Sequence, residues 1–85
     1  MPYIDKIRRQ VLDLEVGALC QQLRSYGELN YALTVILLCC YNTGVRGYER
    51  LNALVGVLEC VKQEFYRRVV APYEEEKRKQ KGDVY

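Results

Sequence analysis

The side chains with the greatest chemical capacity in this 85-residue chain lie in its second half. Asn52, Gly56, Glu59, Gln63 and Tyr66 follow one another at steps of three and four residues, the spacing that sets side chains along one face of an α-helix. The stripe runs into Tyr66-Arg67-Arg68, and Pro72-Tyr73 follows directly. Arginine forks bind phosphate or carboxylate with two parallel hydrogen bonds, and tyrosine rings stack on flat groups. Asn52, Glu59, Tyr66, Arg67, Arg68 and Tyr73 are therefore candidate contacts for a nucleotide-like anion or an acidic protein surface. Asn30 and Tyr31, at the start of an earlier helix, are candidates to complete such a cluster from a neighbouring helix or subunit. An ordinary explanation stands beside this one. The stripe also suits a solvated helix face, cations are favoured at helix C-termini, and Glu64 can pair with Arg68 at i,i+4.

Catalytic tools are few. The chain has no histidine, and Ser25 is its one serine. There is no glycine-rich phosphate loop and no pair of carboxylates isolated in apolar surroundings. The expectation is a protein that binds rather than one that catalyses, with no cofactor. Metal binding is equally disfavoured. Cys20, Cys39, Cys40 and Cys60 form no C-x-x-C pair, and neighbours on a helix point about 100° apart, so Cys39 and Cys40 cannot readily share one tetrahedral zinc. Reduced cysteines serving as small buried hydrophobes are the expectation.

Composition bounds the partners. Thirteen basic and eleven acidic residues give a formal charge of +2, too balanced for a surface that tracks nucleic-acid phosphates, even with Arg8, Arg9 and the Lys77 to Lys81 segment counted. The longest apolar stretch, from Tyr31 to Tyr41, covers about half of the roughly 20 residues that a membrane span requires. The Met1-Pro2-Tyr3-Ile4-Asp5 start has neither a basic, apolar leader nor an Arg-rich transit pattern, so no export is expected. Hydrophobic residues make up 49% of the chain, including eight tyrosines, which is enough to fold. A domain this small nevertheless hides only roughly 60 to 65% of its unfolded surface, and such domains commonly rely on disulfides, metals or self-association.

The elements that position these residues all have helical period. Pro2 and Asp5 precede a first helix over about Asp5 to Leu14. A second segment through Val16, Leu19, Cys20 and Leu23 ends at Ser25-Tyr26-Gly27, with a bend at Gly17 and Gly27 suited to a left-handed C-cap. Glu28 opens a third helix whose stripe of Leu29, Leu33, Ile36, Leu37 and Cys40 is widened by Val35, Leu38 and Cys39, so that this helix must be central to the domain or to an assembly. After Asn42-Thr43-Gly44, the fourth and longest helix, about Tyr48 to Val70, carries Leu51, Leu54, Val55, Leu58, Val61, Phe65 and Val69. A second apolar row of Ala53, Val57 and Cys60 exceeds what a small core needs and points to a homo-oligomer. Pro72 kinks or restarts this helix. Beyond it, Glu74 with Arg78 and Glu75 with Lys79 are set to pair at i,i+4, and Gly82 stops the charged tail. The expectation is one all-α domain over residues 1–85, a bundle of about four helices completed by oligomerisation, with 71–85 as a kinked, charged helix and tail.

The segments Gly27-Glu28-Leu29-Asn30-Tyr31, Glu64-Phe65-Tyr66-Arg67-Arg68-Val69-Val70-Ala71-Pro72-Tyr73-Glu74 and Gly82-Asp83-Val84-Tyr85, together with Ala53 to Cys60, Lys62 and the Met1 to Ile4 start, resemble a family of small uncharacterised bacteriophage and prophage proteins. Lys81, where the family pattern has asparagine, and the Cys39-Cys40 pair depart from it. The resemblance implies action in the cytoplasm of an infected or lysogenic bacterium. Small oligomers there commonly block a host defence protein or sequester a nucleotide immune signal, a functional inference by analogy. The competing expectation is a structural or assembly protein with no small ligand.

Overall fold

The computed structural model describes residues 3–85; Met1 and Pro2, placed above in the segment leading into the first helix, lie outside the described residues. Those residues form three helices and no strand, and the last helix is long and kinked. They divide into two units, Met1–Val45 and Arg46–Tyr85.

In the first unit, α1 spans Lys6–Gln22 and α2 spans Tyr26–Asn42. The two short segments expected on either side of Gly17 are one continuous helix. A single glycine costs a helix only about 1 kcal/mol, less than the helical residues around it recover. Asp5 sits at the N-cap of α1, where its carbonyl accepts from the Arg9 amide at 3.0 Å, although its carboxylate makes no capping bond. Helix α1 stops at Gln22, earlier than expected, because Ser25 serves the next helix. Its Oγ accepts from the Glu28 amide at 3.1 Å, while Glu28 Oε1 accepts from the Arg24 amide at 3.0 Å. This reciprocal pairing is close to a capping box and starts α2 at Tyr26, so Gly27 lies within the first helical turn and not in a left-handed cap.

In the second unit, α3 spans Tyr48–Phe65, a π-helical turn spans Tyr66–Val70, and α4 spans Ala71–Lys81. Gly47 precedes α3 at φ 155°, a backbone angle that side chains rarely tolerate, and its carbonyl accepts the first helical amide from Leu51 at 3.1 Å. Pro72 does what its chemistry dictates. It offers no amide and its ring clashes with the carbonyl four residues back, so the turn before it widens: the Ala71 amide donates to Tyr66, five residues earlier. Helix α4 then restarts with Ala71 and Pro72 in its first turn and ends at Gly82, whose φ of 83° takes the backbone out of the helical region. The expected four-helix count falls to three because α1 is unbroken and α4 continues α3 through the π-turn.

No described residue is buried. Helices α1 and α2 do not pack on each other, and the second unit is one interrupted helix with no partner of its own. Leu33 and Ile36 each keep 46% of their surface in water, and Leu38 keeps 54%. Full burial of such a side chain contributes about 1.5 to 3 kcal/mol, so roughly half of that remains unrealised at each position. The cysteines, expected to be buried, are exposed at Cys20, Cys39 and Cys40 and half-buried at Cys60, and none is joined in a disulfide.

Replacing Ser25 with alanine removes the cap of α2. It should cost about 1 kcal/mol, read as a lower melting temperature by circular dichroism, with the first amides of α2 exchanging faster. Unchanged protection at Glu28 would show that the cap contributes nothing.

Candidate functional site

The candidate residues divide between the two units. Asn30 and Tyr31 belong to the first turns of α2, where the Asn30 carbonyl accepts from Thr34 Oγ1 at 2.8 Å. Asn52, Glu59, Tyr66, Arg67, Arg68 and Tyr73 belong to the long helix of the second unit. Along that helix, at 1.5 Å per residue, Asn52 lies about 21 Å from Tyr66 and about 24 Å from Arg68. One small molecule cannot touch Asn52 and the arginines together. The residues the structure does bring together are Glu64, Tyr66, Arg67, Arg68 and Glu74.

Glu64 organises one half of this group. Arg67 Nη2 donates to both of its oxygens, at 2.9 and 3.0 Å, and Arg68 Nε donates to Oε1 at 3.2 Å. The Arg67 hydrogen bonds, followed by Arg68, hold the Glu64 carboxyl below its ordinary value of 4.5. The i,i+4 partnership with Arg68 was expected from spacing; Arg67, at i,i+3, was not, and it takes the shorter contacts. The guanidinium groups remain open to solvent, with 64% and 58% of the two side chains exposed. They present donors while already carrying a carboxylate.

Tyr66 and Glu74 form the other half. In an unbroken α-helix residues eight apart point about 80° away from each other. A π-turn absorbs one extra residue, so the pair behaves as though seven apart, about 20° from alignment. The Tyr66 hydroxyl accordingly donates to Glu74 Oε2 at 3.2 Å. The Glu74 carboxylate stabilises the neutral phenol and raises Tyr66 above its ordinary 10.0. No sequence spacing announces this contact, because it exists only across a π-turn. It also takes Glu74 away from its expected partner. Arg78 pairs instead with Glu75 at i,i+3 and with Asp83 at 3.3 Å, which leaves the expected pairs of Glu74 with Arg78 and Glu75 with Lys79 unformed.

The other candidates have local partners. Glu59 accepts from Gln63 Nε2 at 3.1 Å and faces Lys62 Nζ at 3.4 Å; the Gln63 bond, then Lys62, lowers its carboxyl. Lys77 Nζ stands 5.5 Å from the centre of the Tyr73 ring, within cation–π range. Among the described residues no three carboxylate or thiol groups gather to hold a metal.

A helical chain with no strand among its described residues, no helix long and apolar enough to cross a membrane, and a solvent-facing arginine–tyrosine cluster at a π-turn is the class of protein these features define. The chain belongs to the family described as a domain of unknown function, DUF6899, which it matches over residues 1–84. No curated protein and no solved structure matches it.

Replacing Glu74 with glutamine should lower the Tyr66 phenol towards 10.0, followed by an NMR titration of the assigned ring. Pro72→Ala should do the same by restoring the α-helical register. A Tyr66 titration that ignores Glu74→Gln would show that the hydrogen bond is absent in solution.

Acid should loosen the other half of the cluster. The folded-state value of Glu64 lies below its ordinary one, so the pairing contributes fully above pH 4.5 and is lost as pH falls through the lowered value. Amide exchange at residues 64–68 should quicken in that range, and exchange that stays flat would count against the pairing.

Proposed function

We propose that this chain is a non-enzymatic, homo-oligomeric binding protein of phage or prophage type, acting in the bacterial cytoplasm, whose Tyr66-Arg67-Arg68 cluster receives acidic groups of a host protein. The observation that carries the proposal is the convergence of both guanidinium groups on Glu64. Two exposed guanidinium groups on one helix turn already hold a carboxylate through three charge-assisted hydrogen bonds, the chemistry an acidic side chain on a partner would offer. The polar face also reaches from Asn52 through Tyr66 to Glu74, about 32 Å of helix, a length that suits an extended protein surface better than one nucleotide. A nucleotide immune signal, if it is the ligand, would rest on Arg67, Arg68 and the Tyr66 and Tyr73 rings without Asn52. The resemblance to phage proteins supports the cellular setting, and the uncovered apolar faces support self-association.

A second reading takes the chain as a structural or assembly protein with no small ligand. The same Glu64 contacts favour it, because they satisfy the arginines within their own helix.

The double variant Arg67→Ala, Arg68→Ala separates the two. Both arginines face water, so helicity should hold, while retention of acidic peptides and of nucleotides on immobilised protein should fall at least tenfold. A variant that changes subunit number and leaves such binding untouched supports assembly; one that binds as well as the parent ends the site assignment.

A further inference from the structure

Helices α1 and α2 each carry two apolar faces. At 100° per residue, Ile7, Val11, Leu14 and Ala18 fall on one side of α1, and Leu12, Val16, Leu19 and Cys20 fall on another, the two centred about 150° apart. On α2, Leu29, Leu33, Ile36, Leu37 and Cys40 face one way, and Val35 and Leu38 face nearly the opposite way. Glu28 is the only charged residue among the 17 of α2. A bundle of three helices places both neighbours of each helix on one side of it and leaves the outward side in water. A flat layer of three covers opposite sides of its middle helix alone, so three helices of one chain cannot cover the opposed apolar faces of both α1 and α2.

The connection between α1 and α2 adds direction. Leu23 (φ −75°, ψ 124°) and Ser25 (φ −154°, ψ 165°) in the three-residue link are both extended, and α1 and α2 do not touch each other. Ile7 and Leu14 remain 76% and 77% exposed. Their ends are complementary nonetheless. The last turn of α2 has no basic residue to offset the negative end of its dipole, while α1 begins with Lys6, Arg8 and Arg9 and has no acid in its first turn. The two helices are equal in length, 17 residues or about 26 Å, so an antiparallel pairing covers both from end to end.

We infer that a second copy of this chain supplies the missing cover: α1 of one copy lies antiparallel on α2 of the other, in an exchanged arrangement whose two-fold symmetry makes the contact twice. The inference rests on the homo-oligomer part of the function proposed above and is independent of the arginine cluster. Its consequence is that folding and association are one event. Lone helices of this length are marginal in water, so the separated chain does not persist as a folded monomer.

Dilution of the unmodified protein tests this. Mean helicity, followed from high micromolar to low nanomolar concentration, should fall together with subunit number, and the melting temperature should rise with concentration. Tagged and untagged copies should exchange only as fast as the protein unfolds. Leu38→Glu should abolish both helicity and association at concentrations where Gln80→Glu, which adds the same charge on polar α4, leaves both intact. A monomer that stays helical and melts cooperatively at nanomolar concentration would overturn both this inference and the homo-oligomer. An oligomer that swaps subunits within seconds while keeping its helicity would overturn the exchanged arrangement alone. A chain that is monomeric and unfolded even at high micromolar concentration would show that a different protein, not a second copy, covers these faces.

Discussion

Apolar helix surface with nothing in its own unit to cover it is the constraint on which the rest of this molecule depends. Helix α2 shows it most plainly, since one glutamate at its start is its only charged residue. The cap built from Ser25 and Glu28 fixes where α2 begins, but capping supplies on the order of 1 kcal/mol and cannot offset a surface of half-exposed leucine and isoleucine. What makes α2 a stable helix must therefore be tertiary or quaternary contact, as it is for most helices in proteins. Short, extended links at Leu23 to Ser25 fit that requirement, because they keep the helices available to other surfaces.

The long helix meets a different constraint at Pro72. A proline in a helix interior normally costs about 3 kcal/mol through its lost amide and its clash with the preceding turn. Widening that turn to an i→i−5 pattern absorbs the clash without ending the helix, and the same widening rotates α4 relative to α3. The rotation brings Glu74 under the Tyr66 hydroxyl. One backbone irregularity thus decides both where the charged segment points and which side chains meet, and the arginines of Tyr66-Arg67-Arg68 sit inside it. They still reach Glu64 at ordinary i,i+3 and i,i+4 spacing, so the π-turn sets the Tyr66 and Glu74 half of the cluster.

Much of this was legible from spacing alone. The all-helical class, the long helix from Tyr48, the interruption at Pro72, the stop at Gly82 and the partnership of Glu64 with Arg68 all follow from period, turn chemistry and i,i+4 geometry. The misplaced boundaries share a cause: each came from reading a glycine as a punctuation mark. Gly17 is carried inside α1 and Gly27 inside α2, because their neighbours are good helix formers and the Ser25 cap outcompetes a left-handed stop. Burial of the cysteines failed for a different reason. Periodicity says which side chains share a face but not whether anything lies against it. The contact between Tyr66 and Glu74 was beyond reach, since it depends on a change of helical register that local sequence rules treat as a simple kink.

These constraints also shape what the proposed site can do. An exposed ion pair in water contributes roughly 0 to 1 kcal/mol, because solvent screens it and two long side chains must be ordered to form it. Arg67 and Arg68 on a single chain, already sharing Glu64, are therefore a weak handle for any anion. Affinity on such terms grows by repetition: copies held in one assembly turn the second and later contacts into intramolecular ones, and avidity can exceed the single-site affinity by about 10² to 10⁴. The same self-association that would cover α2 would then make the arginine cluster effective. On this argument an acidic partner with several carboxylates along its surface gains far more from the assembly than a lone nucleotide does, since only the former can engage several copies at once.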